Sequence, residues 1–101
     1  MSKDTQNKLE TAILEQLQTV IDPETRADVL RMRLVENLVV RHDGQVSYTF
    51  HPSSPLCPIA VYLVKEIKAA VAAVPGVASQ EITVTGYVAA EELTKLINKE
   101  I

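Results

Sequence analysis

The chain has 101 residues, of which 47% are hydrophobic and 23% charged, and its formal net charge is −3. This length suits a single modest core, so we expect residues 1–101 to form one domain. The composition excludes a disordered chain, and no apolar run reaches the roughly 20 residues of a membrane span. The negative charge and the few aromatic residues argue against nucleic-acid binding.

The N-terminal segment and the cysteine content both bear on the compartment. The first ten residues, MSKDTQNKLE, are polar and lack the apolar centre of a secretory signal. The single cysteine, Cys57, cannot form an internal disulfide, which fits a reducing compartment. We therefore expect a cytoplasmic protein without a membrane anchor.

A first helix is predicted from about Thr5 to Ile21, because apolar residues recur there at helical spacing. Asp22-Pro23 should end this helix, since the residue before a proline is disfavoured in helical geometry. Asp22 would then cap a short turn with Pro23 at its first position and Glu24 beside its positive end. The apolar positions of the helix are Leu9, Ile13, Leu17, Val20 and Ile21.

A β-hairpin is predicted next, with strands over residues 34–41 and 45–50. Asp43-Gly44 between them is a strong turn signal. We favour a three-residue loop over residues 42–44 with Gly44 in the left-handed conformation, because a two-residue loop would mix apolar and polar side chains on one face. The favoured pairs are Val40 with Val46 and Leu38 with Tyr48.

The second half of the chain predicts a helix, a strand and a final helix. The helix runs from Pro58 to about Val74 and is stopped by Pro75-Gly76. A third strand covers residues 81–85, and a last helix begins near Ala89. The inward residues are Ile82 and Val84 of the strand and Leu93, Leu96 and Ile97 of the last helix.

This order of elements predicts the fold class. A helix, a hairpin, a helix, a strand and a helix bury their apolar faces most simply as an α+β, two-layer α/β sandwich. Its small mixed sheet consists of the hairpin and at least one further strand, with the helices packed on one face. A short sheet of this kind leaves an edge that a partner chain could cover.

Cys57 is the main candidate for chemistry. If Pro58 takes the first helical position, Cys57 is the N-cap and its sulfur lies near the unpaired amides of the first turn. That environment favours the thiolate, which attacks electrophiles and binds soft metals. Alternatively, Cys57 points inward as a small buried hydrophobe between the apolar Leu56 and Ile59. The residues leave both directions open.

Other polar residues near Cys57 allow weaker hypotheses. His51 could approach the thiol as a base, or His51 and Glu24 could join Cys57 in a zinc site, although no spacing typical of zinc ligands is present. Arg31 and Arg33, with Arg26, could hold an anionic ligand or an acidic partner surface. A solvated histidine and a solvated charged loop are the alternatives.

Four short motifs carry a family resemblance over about residues 9–88. In chain order, these are Asp22-Pro23-Glu24, Leu34-Val35, the segment SPLCP ending at Pro58, and VPGV before the third strand. Together they resemble the metal–sulfur cluster assembly family that includes SufT and PaaD-like proteins. The resemblance implies a small α/β fold shared with the NifU C-terminal domain, and Cys57 as the functional residue.

The same resemblance implies assembly or delivery of iron–sulfur clusters to client apo-proteins, or for some members an accessory role in multicomponent oxygenases. The family threonine ahead of the Cys-Pro turn is represented here by Ser53 and Ser54. Arg31 and Arg33 stand where the family usually has Asp and Gly ahead of the hairpin. Glycine there would tolerate backbone angles that arginine should not.

Three functions follow for comparison. The first is a non-enzymatic assembly factor in which an accessible Cys57 is a transient cluster ligand; a cluster usually takes four thiolates, so a homodimer would supply two and small thiols or a client the rest. The second is a thiol enzyme using Cys57 and His51, although no resolving cysteine is present. The third is an interaction subunit with a structural Cys57. We favour the first, and so expect no enzymatic activity.

Overall fold

The computed structural model describes residues 3–23 and 25–99. Over these ranges the chain forms three helices and three strands in the predicted order. Their bounds are α1 Lys3–Leu17, β1 Val35–Val40, β2 Gln45–Phe50, α2 Ala60–Ala72, β3 Ser79–Val84 and α3 Ala90–Lys99.

The sheet has the order β1-β2-β3, with β1 antiparallel and β3 parallel to β2. Alternation along β2 and β3 gives the sheet one apolar and one polar face. The buried side chains of the apolar face join those of all three helices in one core, so the predicted two-layer α+β fold is confirmed. The apolar face carries Val46, Tyr48, Phe50, Ile82 and Val84, and the polar face Ser47, Thr49, Glu81 and Thr83.

The hairpin has the predicted three-residue loop. The Arg41 amide donates to the Gln45 carbonyl at 2.8 Å, and Gly44 has φ 85°. The predicted pairing of Val40 with Val46 is also confirmed. A β-bulge between Glu36 and Val39 interrupts the ladder, so the regular pairing of Leu38 with Tyr48 is not observed. Asn37 within this bulge has φ 57°, a conformation that asparagine tolerates better than most residues.

α1 ends at Leu17, four residues before the predicted end. The chain instead turns back on itself: the Val29 amide donates to the Val20 carbonyl at 3.1 Å, and Ile21 bridges to Asp28. The Thr19 and Val20 amides donate to the Gln16 and Leu17 carbonyls at 3.0 and 3.1 Å, whereas a longer α-helix would need acceptors four residues back. The periodicity of Val20 and Ile21 therefore overstated the helix, and Ile21 is 45% exposed.

The second half of the chain follows the prediction with small shifts. α2 is followed by Gly76 at φ 101°, as expected for a Pro-Gly stop. β3 begins two residues earlier than predicted. Leu93 and Ile97 of α3 are buried, but Leu96 is 45% exposed and was wrongly assigned to the inner side.

α3 covers the outer edge of β3 through its side chains. The Asn98 amide group accepts from the Ile82 amide at 2.8 Å and donates to the Ile82 carbonyl at 2.7 Å. The Thr94 hydroxyl accepts from the Val84 amide at 2.9 Å. The outer edge of β3 is thus satisfied within the chain, and an edge that a partner chain could cover stays a prediction for the rest of the sheet.

Tyr48 is the one buried phenol in the described part of the core. It is 2% exposed, and its hydroxyl donates to Gln80 Oε1 at 2.7 Å. Removal from water disfavours the phenolate, so burial raises the pKa of Tyr48 well above its usual range.

We expect Tyr48 to cause a loss of stability at alkaline pH. Below about pH 10, the usual tyrosine value, both the folded and unfolded states keep the proton. Above it, the unfolded state loses the Tyr48 proton while the folded state keeps it because the pKa is raised, so the free energy of unfolding falls by about 1.4 kcal/mol per pH unit. Urea denaturation of wild type and Tyr48→Phe across this range measures the difference in slope.

Tyr62→Phe is the control for this experiment, since Tyr62 is 51% exposed. Wild type and Tyr62→Phe should lose stability in parallel above about pH 10, whereas Tyr48→Phe should lose less. Equal slopes for all three proteins would contradict the assignment.

Candidate functional site

The candidate site lies at the edge of the sheet where β2 and β3 end. Because these strands are parallel, their carboxyl ends share one edge, and the antiparallel β1 begins there. The His51 amide donates to the Leu34 carbonyl at 2.8 Å, and the Thr85 amide to the Phe50 carbonyl at 3.0 Å. We call this edge, with its loops 51–59 and 85–89 and the segment 22–34, the carboxyl edge. Ligands of open α/β sheets commonly bind at such an edge.

Cys57 lies within the carboxyl edge but faces the core. Its side chain is 4% exposed and belongs to the central hydrophobic cluster. α2 begins at Ala60 with Ile59 as N-cap, so Cys57 is not the N-cap and the exposed Pro58 is not the first helical residue. The Ala60 amide bonds to the Cys57 carbonyl at 3.4 Å, which makes residues 57–60 a turn before the helix. The expectations of a capping and accessible sulfur are therefore wrong for this structure.

The turn that covers Cys57 is exposed and held by three hydrogen bonds. The Ser54 hydroxyl accepts from the Leu56 amide at 3.1 Å, and the Ser54 carbonyl accepts from the Cys57 amide at 3.1 Å. The Pro55 carbonyl accepts from the Val88 amide at 2.8 Å, which ties the turn to the loop after β3. Ser53 is exposed beside it. Ser54 therefore supports the turn, and its hydroxyl is already engaged.

His51 contacts the end of β3. Its Nδ1 lies 3.2 Å from Thr85 Oγ1, and its exposed ring lies directly over Gly86. A methyl group at Gly86, which has φ 64°, would overlap the ring. No hydrogen bond joins His51 to Cys57 in the described ranges, so the hypothesis of a thiol–imidazole pair is not supported by this geometry.

Asp22 is the acidic candidate ahead of β1 that the structure describes. Asp22 is 2% exposed, and its backbone closes the turn by donating to the Ala27 carbonyl at 2.9 Å and accepting from the Arg26 amide at 2.7 Å. Asp22 thus belongs to a turn that follows α1, and its role as the cap of that turn stays a prediction. Glu24 lies outside the described residues. Within residues 3–23 and 25–99, no group of three or more His, Cys, Asp and Glu side chains could hold a metal ion.

The backbone of Arg33 adopts a conformation that was not expected for arginine. Although arginine was expected not to tolerate the angles of the family glycine, Arg33 has φ 59°. This left-handed conformation costs an L-residue about 1 kcal/mol relative to the right-handed one. The Arg33 amide donates to the Leu30 carbonyl at 3.0 Å, and the Arg31 amide to Asp28 Oδ1 at 2.9 Å. Both arginine side chains are exposed.

Sequence reasoning missed two features of the carboxyl edge. Leu56 and Val88 are large apolar residues that are 74% and 71% exposed. Gly86 accommodates the His51 ring. A glycine directly after a strand was the available signal for such a close approach. None of the helices within the described ranges is long and apolar enough to span a bilayer.

Comparison with known proteins gives a family. A family described as "Iron-sulfur cluster assembly protein" matches residues 10–84. A Porphyromonas gingivalis protein named Fe-S protein maturation auxiliary factor is 34% identical over 76 residues, covering 75% of this chain and 72% of that protein. An iron-sulfur cluster carrier protein of Synechocystis is 31% identical over 74 residues, covering 73% of this chain but 21% of the carrier.

A solved structure agrees with this result. The crystal structure of a domain of unknown function, DUF59, from Bacillus anthracis matches with a TM-score of 0.74 and 27% identity, covering 83% of this chain and 80% of that one. The family match takes in α2, the hairpin, β3 and the Cys57 turn. The resemblance seen in the four motifs is therefore confirmed, and the chain belongs to the iron–sulfur cluster assembly protein family.

Proposed function

We propose that the protein is a non-enzymatic auxiliary factor in iron–sulfur cluster assembly or transfer, and that the cluster is its cargo. The observation that carries this proposal is the family match across residues 10–84. Cluster transfer is a ligand exchange between proteins, so it needs a docking surface and exchangeable ligands rather than a general acid or base.

The proposed partners are client apo-proteins and a cluster carrier. In the Synechocystis protein, the matched region makes up 21% of a longer chain named as a carrier. A domain like this one is thus joined covalently to a carrier in that protein. We propose that the domain formed by residues 1–101 performs the same step, by bringing a client to the cluster source in the cytoplasm.

Cys57 is proposed to reach the cluster only when its covering turn opens. The turn is exposed and its three hydrogen bonds lie at the surface, which is typical of segments with low local stability. A cluster usually takes four thiolates, and Cys57 is the chain's single thiol. The remaining ligands would come from a second copy, small thiols or the client, and such shared ligation suits release.

Burial of Cys57 favours a second candidate function. A thiol that is 4% exposed packs like other small core residues, so the protein could act as an adaptor in which Cys57 is structural. In that case contacts at the carboxyl edge would account for the activity, and an alanine at position 57 would affect stability alone.

A transfer assay tests both functions. A cluster-loaded carrier and an apo-ferredoxin are mixed anaerobically with wild type, Cys57→Ser or Cys57→Ala, and ferredoxin absorbance is followed over time. We expect wild type to accelerate transfer and Cys57→Ser to lose at least about tenfold of that acceleration, because its hydroxyl is a poor ligand for iron. Iron and sulfide reconstitution of the three proteins reports ligation directly.

Folding must be checked in parallel, because a buried hydroxyl at position 57 costs about 1–2 kcal/mol. Cys57→Ala gives the matched packing control. If both folded variants accelerate transfer as much as wild type does, the protein acts as an adaptor and Cys57 is not a cluster ligand. No acceleration by wild type would overturn the proposed function.

A further inference from the structure

We propose that Arg26, Arg31 and Arg33 form a docking surface for an acidic protein, the client that receives the cluster. This inference rests on the proposed function, because it assigns the binding surface of the same carboxyl edge. We call these three residues the arginine cluster.

One compact loop presents the arginine cluster. The Thr25 hydroxyl donates to Met32 Sδ at 3.0 Å. Arg26 directly follows Thr25 in the chain, and Arg31 and Arg33 lie on either side of Met32. Within the loop, the Met32 amide bonds to the Asp28 carbonyl at 3.1 Å. The loop therefore holds the three arginine backbones in a defined arrangement.

The guanidinium groups are free to meet a partner. All three arginines are exposed, and none makes a side-chain hydrogen bond or ion pair with another residue of the described ranges. The carboxylates of the loop are less available: Asp22 is 2% exposed, and the half-buried Asp28 accepts from the Arg31 amide. Glu24 lies outside the described residues. The described exposed charges of this loop are thus positive in a protein whose net charge is −3.

The backbone gives an independent argument. Arg26 and Arg33 have φ 62° and 59°, whereas glycine would adopt these angles without strain. Residues held in sparsely populated backbone regions cluster at functional sites, where the function of the side chain explains why the strain is kept. Two strained arginines in one loop therefore indicate that their positive charge is functional.

The arginine cluster adjoins the candidate site. Leu34, directly after Arg33, accepts the hydrogen bond of the His51 amide, and the same edge exposes Leu56 and Val88. Apolar residues flanked by arginine are typical of protein–protein interfaces. A client seated there would contact the turn over Cys57 while its acidic groups met the arginines.

An acidic protein fits this surface better than a nucleic acid. A nucleic acid presents a continuous run of negative charge and is held by many lysine and arginine contacts. The rest of this chain is acidic and would repel such a polymer, whereas a folded client matches a surface of three cations.

Charge reversal tests the surface. An acidic apo-ferredoxin is the probe, and its dissociation constant is measured for wild type and for Arg31→Glu/Arg33→Glu. The control is Lys8→Glu/Lys99→Glu, which changes the net charge equally at two exposed lysines of α1 and α3. We expect at least about tenfold weaker binding for the arginine double variant and less than about threefold for the control.

Salt gives the second readout. Wild-type affinity should fall about tenfold or more from about 0.1 M to about 1 M ionic strength, where the screening length shortens from roughly 10 Å to roughly 3 Å. The arginine double variant should lose most of this dependence. The docking surface would be overturned if the wild-type dissociation constant did not depend on salt. It would also be overturned if both double variants weakened binding equally. Tighter binding of a single-stranded RNA of matched charge would overturn the choice of partner.

Arg33→Gly separates the strain from the charge. Glycine relieves the left-handed backbone and removes the guanidinium, so we expect the variant to unfold at higher urea while it binds the probe about threefold more weakly. Unchanged or tighter binding would contradict a role for Arg33. If these binding results are obtained but wild type does not accelerate transfer, the proposed function is wrong and the docking surface is still supported.

If the arginine double variant accelerates transfer as much as wild type does, the docking surface is wrong and the proposed function is still supported.

Discussion

Replacing Asn98 with alanine is expected to lower the free energy of unfolding by about 2–3 kcal/mol. The Asn98 side chain makes two hydrogen bonds to Ile82, at 2.8 and 2.7 Å, and a third to the Thr94 carbonyl at 3.0 Å. Alanine would leave the amide and carbonyl of a core strand residue unpaired at the sheet edge. Urea denaturation measures the loss, and the melting temperature should fall by roughly 8–24 °C in a domain of this size.

Two variants bracket this effect. Asn98→Asp keeps an acceptor for the Ile82 amide but loses the donor for its carbonyl, so its loss of stability should be intermediate. Lys99→Ala changes the next, exposed residue of α3 and should cost less than about 0.5 kcal/mol. Equal stabilities for Asn98→Ala and Lys99→Ala would refute the edge-covering role of Asn98.

Gly44→Ala is expected to cost about 2–4 kcal/mol. Gly44 has φ 85°, and a methyl group there would lie 2.5 Å from the Gly76 carbonyl oxygen and 3.2 Å from Ala78 Cβ. The neighbouring atoms belong to backbone and a short side chain, so they cannot move aside cheaply. The Gly44 carbonyl also accepts from the Ala78 amide at 2.9 Å, which joins the hairpin loop to the turn before β3.

Gly76→Ala is the matched control for Gly44→Ala. Gly76 also has a positive φ, of 101°, but a methyl group there meets only the Leu9 side chain, at 3.4 Å. Both variants are destabilised by the positive φ, whereas Gly44→Ala alone is also destabilised by the overlap. A Gly76→Ala protein as unstable as Gly44→Ala, measured by urea denaturation, would show that overlap contributes nothing.

Signals from neighbouring residues were sufficient to predict the hairpin and the end of α2. The Asp43-Gly44 pair and the alternation of β2 specify a loop length, because a register slip would expose apolar side chains. The Pro75-Gly76 pair likewise stops a helix through properties of those two residues. Both features were predictable since they depend on residues adjacent in the chain.

The end of α1 was not predictable in the same way. Val20 continues the helical spacing of the apolar residues, yet its carbonyl pairs with the Val29 amide. A pairing partner nine residues away outweighed local periodicity. The bulge in β1 is a similar case, because Asn37 carries no unique signal for it.

For the candidate site, the sequence predicted where the turn around Cys57 lies but not which way its sulfur points. The turn around Cys57 was located correctly between β2 and α2, but the direction of the sulfur depends on where the helix begins, which shifts by one or two residues without any change in pattern. The contact of His51 with Thr85 depends on the parallel register of β2 and β3. The left-handed backbone of Arg33 contradicts residue preference and becomes visible only in three dimensions.

The way α3 completes the sheet has a consequence for truncated forms of the protein. A form cut between β3 and α3 would keep Ile82 and Val84 but lose the Asn98 and Thr94 side chains that accept from their amides. Open amides along a strand are a template for pairing with a strand of another molecule. Such a form should therefore self-associate through β3.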